Sequence, residues 1–287
     1  MRKTIRLPLV MVLSFCLLGC SSEKSVEQAD KEVALHTSDS ISIQATLKVE
    51  KLNYSLHTDT TFISLGTDDT VAIITDKDVY ILEPTLYHGD EIEKSWEKLP
   101  WYGLFKLSDS EFELRATTLS IESMHDDIVD DDGEDTGWMV KVHDKDTLPL
   151  LLIGGEIELK ERKLQGKSPE YSILQPDSNL VLDNHYQLNA FGNSRLYSKE
   201  TGEVEVYNYG LELKSGDMRQ KLFSHYNFIG DGPYLVWHGY LDEDTIPDLL
   251  IDCTNNYNQR VLVLFLSTKA KEGQIVRPVA MIASVGC

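Results

Sequence analysis

Cations, glycine, proline and long apolar segments are all scarce in this chain of 287 residues. Lys and Arg number 27 against 47 Asp and Glu, so the formal net charge is −20. Nucleic acid is therefore excluded as a partner, because neutralising phosphates requires clustered cations. With 9 Pro and 18 Gly the chain is neither collagen-like nor of low complexity. No apolar run of membrane-spanning length follows residue 20.

The usual catalytic patterns are also missing. The chain contains no G-x-S-x-G elbow, no phosphate-binding G-x-x-x-x-G-K-[ST] loop, no H-E-x-x-H and no G-x-G-x-x-G. The histidines are scattered, and none pairs with another at metal-ligand spacing, so each, including His225, is expected at the surface or with its hydrogen bonds satisfied. Because the chain has 47 Asp and Glu, a pair of carboxylates in the sequence does not by itself indicate a catalytic site.

The N-terminus has the pattern of an export signal over residues 1–19. Arg2, Lys3 and Arg6 supply a cationic start, and an apolar stretch runs to Leu18 that is too short to span a bilayer. It ends in Leu17-Leu18-Gly19-Cys20, which resembles the bacterial lipobox. The resemblance implies that the Cys20 thiol is acylated and that the mature chain begins there. An ordinary secretory peptide with an incidental Cys20 is the alternative.

Acylation implies attachment to a membrane through N-terminal lipid without crossing it. Each buried methylene contributes about 0.8 kcal/mol, and two or three acyl chains form a stable anchor. Ser21 and Ser22 follow the cysteine where lipoproteins kept at the inner membrane typically carry Asp, which indicates the outer membrane of the cell envelope. Cleavage removes three cations and no acids, so the acidic body is repelled by anionic lipid and the acyl chains supply the attachment.

The mature chain divides into a tether at 20–40 and a β-rich body at 41–287. The tether is polar and reaches about 25 Å as a flexible segment. In the body, Ile41, Ile43, Ala45, Leu47 and Val49 alternate with polar residues, as expected of a half-buried strand. Similar runs separated by turn residues occur at 71–74, 79–82, 112–114, 138–142, 157–159, 204–206, 211–213 and 261–266.

This spacing predicts a mainly β fold, an antiparallel sandwich-like or barrel-like domain. Only Asp90–Leu99 is predicted to be helical, because Ile92, Trp96 and Leu99 share one helical face before Pro100. Residues 161–183 are rich in polar and turn residues, so this segment is either a joint between subdomains or an excursion from one continuous sheet system. The aromatic residues Trp96 and Trp101–Phe105 are expected in the core rather than stacked on a ligand.

An acidic loop precedes an apolar strand near the C-terminus, at Leu241-Asp242-Glu243-Asp244-Thr245-Ile246-Pro247-Asp248. It resembles the FG-GAP/VCBS type of repeat, D-x-D-G-D-G-x-x-D, in which alternate oxygens converge on a hard cation such as Ca²⁺. The resemblance implies Asp242, Asp244 and Asp248 as ligands. Tyr240 replaces the first Asp and Thr245 replaces a Gly, so the loop is either a weak Ca²⁺ site or a solvated acidic turn. The second acidic run, 126–135, is expected to be a solvated loop.

Two cysteines remain after loss of Cys16 and acylation of Cys20. In an oxidising compartment, Cys253 and Cys287 form either a disulfide, adding about 3–4 kcal/mol to stability, or two free thiols.

The leading functional hypothesis is a non-catalytic, lipid-anchored envelope protein that binds a protein or glycan ligand. The competing hypothesis is an envelope hydrolase with an unrecognised carboxylate or metal site. A deep pocket with converging polar groups favours the enzyme, and a flat surface favours the binding module.

Overall fold

The structure is a computed structural model that describes residues 73–143, 147–169, 172–230, 232–255 and 258–285. These residues form seventeen strands and one short 3-10 helix, and all strand pairs are antiparallel. The predicted mainly β, antiparallel fold class is therefore confirmed. The signal segment 1–19, the tether 20–40 and the predicted strand at 41–49 lie outside the described residues.

The largest sheet curls into a nearly closed barrel of nine strands. Around the barrel the order is β1 (Val79–Leu82), β7 (Leu151–Gly155), β3 (Trp101–Lys106), β4 (Glu111–Thr117), β8 (Arg162–Lys167), β14 (Tyr234–Gly239), β15 (Asp248–Asp252), β16 (Gln259–Leu266) and β17 (Arg277–Val285). The short β9 (Ser172–Ile173) also pairs with β14. Between the two end strands, the Asp76 N–H donates to the Val279 carbonyl at 2.9 Å, and Arg277 pairs with Asp76 at 2.6 Å.

Two smaller sheets accompany the barrel. The four-stranded sheet has the order β10 (Asn179–Val181), β11 (Tyr186–Leu196), β12 (Val204–Ser215) and β13 (Met218–Ile229). The three-stranded sheet has the order β2 (Leu86–Tyr87), β6 (Gly137–Val142) and β5 (Leu119–Met124).

Strands β15 and β16 separate two hydrophobic cores. On β15, Leu250 points into the core lined by the barrel strands and the three-stranded sheet, whereas Leu249 and Ile251 pack with the inner face of the four-stranded sheet. Because both faces of these strands are buried, β16 carries the unbroken apolar run VLVLFL instead of an alternating one. On the outer face of the four-stranded sheet, the exposed or half-buried residues Asn179, Gln187, Asn189 and Arg219 are not covered by any other described strand.

Most sequence-predicted strands are confirmed, but two local predictions are wrong, and the described part of a third, residues 73–74 of the strand predicted at 71–74, is irregular. The segment Asp90–Leu99 forms only the 3-10 helix η1 (Lys94–Lys98). The residues before it are held in a turn, because the Glu91 carboxylate accepts the His88 N–H at 2.9 Å. Residues 157–159, predicted as a strand, are irregular.

The segment 161–183 begins as β8, which pairs with both β4 and β14. Whether a subdomain joint lies there stays a prediction.

Candidate functional site

The three aspartates of the acidic loop come together around Ser267. Asp248 is the first residue of β15, and Ser267 directly follows the end of β16. The Ser267 hydroxyl lies 3.0 Å from Asp242 Oδ2 and 2.6 Å from Asp244 Oδ2. Asp242 Oδ2 also accepts the N–H of Thr268 at 2.9 Å and its hydroxyl at 2.7 Å. The sequence therefore predicted the convergence of these side chains, but not the hydroxyl residues that hold them.

Asp248 is the most enclosed member of this group, with no exposed surface. Its Oδ2 accepts the N–H groups of Leu241 at 2.6 Å and Asp242 at 3.2 Å, and its Oδ1 accepts that of Ser267 at 2.9 Å. Burial, together with the charges of Asp242 and Asp244, raises the pKa of Asp248 well above its ordinary value. Asp248 thus closes the loop onto the strand through backbone hydrogen bonds.

The loop carboxylates differ in how far hydrogen bonds satisfy them. One oxygen, Asp242 Oδ1, is buried and has no hydrogen-bond partner among the residues that the structure describes. Within the described residues, however, no group of three or more His, Cys, Asp or Glu side chains is arranged to hold a metal ion. Backbone strain falls at Glu243, with φ of 69°, where the repeat pattern has its first Gly, and not at Thr245.

Calcium addition separates the two interpretations of this loop. Because hydroxyl and N–H groups of Ser267 and Thr268 occupy Oδ2 of both Asp242 and Asp244, we expect millimolar Ca²⁺ to leave the Tm of the protein unchanged. An equal concentration of Mg²⁺ serves as the control for ionic strength. A cation bound only by the folded state must raise the midpoint. A rise specific to Ca²⁺, lost in Asp242→Asn, would establish the ion site.

The second acidic run is exposed, as predicted, at residues 127–129 and 131–135, but Asp126 and the side chain of Asp130 are buried. Asp126 is buried and its carboxylate bonds to Nδ1 of His88. Burial acts to lower the pKa of His88, but the bond to Asp126 and the charge of Glu91 outweigh it, so this pKa is raised. Asp130 Oδ2 accepts the N–H groups of Asp126 at 2.9 Å and Thr136 at 2.8 Å. These acids serve to order the loop.

Of the cysteines for which a role was predicted, only Cys253 lies among the described residues. Cys253 is buried in the core beneath the four-stranded sheet, and burial raises the pKa of its thiol well above the ordinary value. Cys287 and Cys20 lie outside the described residues. The Cys253–Cys287 disulfide and the acylation of Cys20 therefore stay predictions.

A shallow groove of about 520 Å³ lies on the open face of the four-stranded sheet. The register of the four strands places the side chains that line it in two neighbouring rows across the sheet. One row is Asn179, Asn189, Glu212 and Lys221, and the next is Val181, Gln187, Lys214 and Arg219. Amides therefore lie on the β10–β11 side and charges on the β12–β13 side. The amides of Asn179, Gln187 and Asn189 have no side-chain hydrogen bond to any described residue.

An aromatic ring closes one end of this groove, which we call the amide groove. Phe191 is 38 % exposed and lies across Gly210, its register partner on β12. A Cβ at position 210 would come within 2.9 Å of three carbons of the Phe191 ring, so glycine leaves the space that the ring occupies. The ammonium of Lys221 lies 5.9 Å from the ring centroid.

No motif in the sequence indicates the amide groove. Its only local signal is the alternation Gln187, Asn189, Phe191 along β11, which is the same pattern as any solvated strand face. The groove exists because four strands separated in sequence are placed in register.

The predicted aromatic cluster is mostly core. Trp101 and Phe105 are buried, and Trp101 Nε1 donates to the Trp96 carbonyl at 2.8 Å. Trp237 is also fully buried.

Comparison with protein-family models, with curated proteins and with solved structures finds no match for this chain. Its site must therefore be judged from its own geometry.

Proposed function

We propose that this chain is a lipid-anchored envelope protein whose barrel-like body binds a ligand in the amide groove without catalysing a reaction. The single observation that carries the proposal is the amide groove itself, where unpartnered amides, charged side chains and a half-exposed aromatic ring share one open face. Polar groups of this kind beside an aromatic surface are what a ligand site needs for orientation and contact.

The site geometry favours binding over hydrolysis. The amide groove is open and shallow, and its single carboxylate, Glu212, lies 3.7 Å from Arg219. The carboxyl with a strongly raised pKa, Asp248, is enclosed by backbone donors far from solvent rather than facing a cavity. A general acid must reach its substrate, so Asp248 does not meet this requirement.

The lipid anchor rests on the lipobox residues Leu17-Leu18-Gly19-Cys20. In the described part of the chain, no helix combines the length and the apolar character needed to cross a membrane. An acyl anchor needs no such helix. Ser21 and Ser22 support the outer membrane as its destination.

Acylation is tested by growing cells with an alkyne analogue of palmitate. We expect the wild-type protein to incorporate the label and to fractionate with outer membranes, and the variant Cys20→Ala to do neither. Cys253→Ala serves as the matched cysteine control and should remain labelled. A labelled Cys20→Ala variant, or an unlabelled wild-type protein, would contradict the anchor.

Binding is tested by photo-cross-linking in cells. A benzophenone amino acid at Gln187, at the margin of the amide groove, is expected to give a discrete adduct on irradiation. The same amino acid at Lys163, an exposed position on β8, is the control and should give none. Adducts of equal yield at both positions, or none at Gln187, would contradict a ligand site in the amide groove.

A further inference from the structure

The chemistry of the amide groove specifies its ligand more narrowly. We propose that the groove binds an acidic oligosaccharide, with carboxylates on its sugar rings. This inference rests on the binding function proposed above, and it names the class of ligand.

The two sides of the amide groove offer different groups to a ligand. Asn179, Gln187 and Asn189 present both donors and acceptors, which suits hydroxyl groups, because each hydroxyl donates one hydrogen bond and accepts others. Sugars carry many hydroxyls in a small area. The amides already lack side-chain partners among the described residues, so binding breaks no internal hydrogen bond.

The Phe191 ring supplies the apolar contact that a sugar ring needs. A pyranose has a face of C–H groups that packs flat on an aromatic ring. Phe191 is supported from beneath by Gly210 and remains 38 % exposed, so the ring is held on the sheet as a platform.

The charges in the amide groove explain why the sugar should be acidic. Lys214, Arg219 and Lys221 lie within two rows, against the single acid Glu212. This excess of cations stands out on a chain whose net charge is −20. Lys214 forms no ion pair with a described residue, and Arg219 contacts Glu212 only at 3.7 Å. Cations that lack close partners are available to carboxylates.

The spacing of these groups fits a chain rather than one sugar. Neighbouring strands are about 4.8 Å apart and residues rise about 3.4 Å along a strand, so four strands and the segment Gln187–Phe191 define a face of about 14 by 14 Å. Lys221 is placed to bind a ligand carboxylate near Phe191. Lys214 and Arg219 are placed to bind the carboxylate of a neighbouring sugar. The groove volume of about 520 Å³ is in the range of ligand sites.

A protein ligand fits this face less well. Interfaces between proteins have apolar centres that are depleted in charged residues. In the amide groove, the central residues are Asn189 and Glu212, and the aromatic ring lies at one end.

Calorimetric titration of the full mature lipoprotein in detergent tests the inference. The probes are tetragalacturonate, tetraglucuronate and the methyl ester of each, which keeps the sugar and removes the charge. We expect an acid to bind at least tenfold more tightly than its ester, with an affinity that falls as salt is raised. Phe191→Ala should weaken acid and ester together by about tenfold, and Phe191→Tyr should retain binding.

The charge is tested separately with Arg219→Gln, which should weaken only the acid, by about tenfold. Lys163→Gln removes an equal charge outside the groove and should change neither affinity. Thermal melts of all variants check that the fold is kept.

Equal affinities for acid and ester, or no binding of either acid at millimolar concentration, would overturn the acidic saccharide. If the Gln187 adduct still forms in cells in that case, the binding function stands and only its ligand class is wrong. If the adduct is absent as well, both proposals fail.

Discussion

Acidification from pH 7 to pH 4 is expected to lower the free energy of unfolding by about 6 kcal/mol through two buried histidines alone. Burial lowers the pKa of His225 to about 4, and burial together with the charge of Lys167 lowers that of His238 to about 4. In the unfolded chain a histidine has a pKa of about 6.5, so each contributes about 3 kcal/mol. The total approaches the stability of a typical domain, about 5–15 kcal/mol.

The direction of this change in stability follows from the difference in histidine pKa between the folded and the unfolded chain. Between pH 6.5 and pH 4 the unfolded chain takes up protons that the folded chain resists, so stability is full above pH 6.5 and falls as the pH is lowered. Below pH 4 these two groups cause no further loss. Denaturant titrations at several pH values measure the effect.

His225→Phe isolates half of this effect. His225 is 2 % exposed, and neither ring nitrogen makes a hydrogen bond of normal length and angle to a described residue, although the Cys253 backbone opposes part of the pKa shift. Its ring lies among Tyr209, Phe223 and Phe228, with centroids 5.3–6.1 Å away, so a phenyl ring suits the site. We expect the variant to be more stable by about 1–2 kcal/mol at pH 7.

At pH 4.5 the advantage of His225→Phe over the wild type should grow by about 2.5 kcal/mol, since the variant has no proton to take up there. His185→Phe is the control, because His185 is exposed on the loop before β11. A constant difference between wild type and His225→Phe across this pH range would show that His225 is not responsible for acid sensitivity.

The second large effect is expected from Gly239→Ala, which should lower the free energy of unfolding by about 3 kcal/mol or more. A Cβ at position 239 would lie 2.4 Å from the Trp237 ring, 2.6 Å from the Gln165 carbonyl oxygen and 2.9 Å from Gly166 Cα. Trp237 is fully buried and the other two atoms belong to the backbone of a paired strand. None of these atoms has space to move.

Gly210→Ala makes the same chemical change on a strand and is the matched control. The three atoms nearest to a Cβ there all belong to the Phe191 ring, which is 38 % exposed and can be displaced outward by the added methyl group. We expect a loss below about 1 kcal/mol, together with loss of ligand binding in the amide groove. Equal destabilisation by the two variants, measured by chemical denaturation, would contradict the distinction between a closed core and an open face.

The local alternation of apolar and polar residues was sufficient to predict strands in which about every second side chain is buried. Period-two alternation located β1, β4, β6 and two separate parts of β12, 204–206 and 211–213, because one face of each is apolar. The acidic turn before β15 was also predictable, since its aspartates lie within one short loop. The export signal and lipobox depend on sequence alone, and they stay predictions.

Local pattern failed where a distant residue decides the outcome. Segment Asp90–Leu99 has helical spacing, but its Glu91 carboxylate is also bound by the Val285 N–H at the other end of the described chain. His225 was expected to be exposed or satisfied, and it is instead enclosed by rings from β12 and β13, with no hydrogen bond of normal geometry to a described residue. Neither environment is encoded within a few residues of the group concerned.

The sequence by itself determined that this chain forms short antiparallel strands, that it is strongly acidic, and that Asp242, Asp244 and Asp248 share a turn. Tertiary structure alone decided that the sheet curls into a barrel, that β15 and β16 are buried on both faces, and that Phe191 lies over Gly210. The physical reason is that alternation fixes which side chains share a face of one strand, whereas register between distant strands fixes which side chains meet across the sheet.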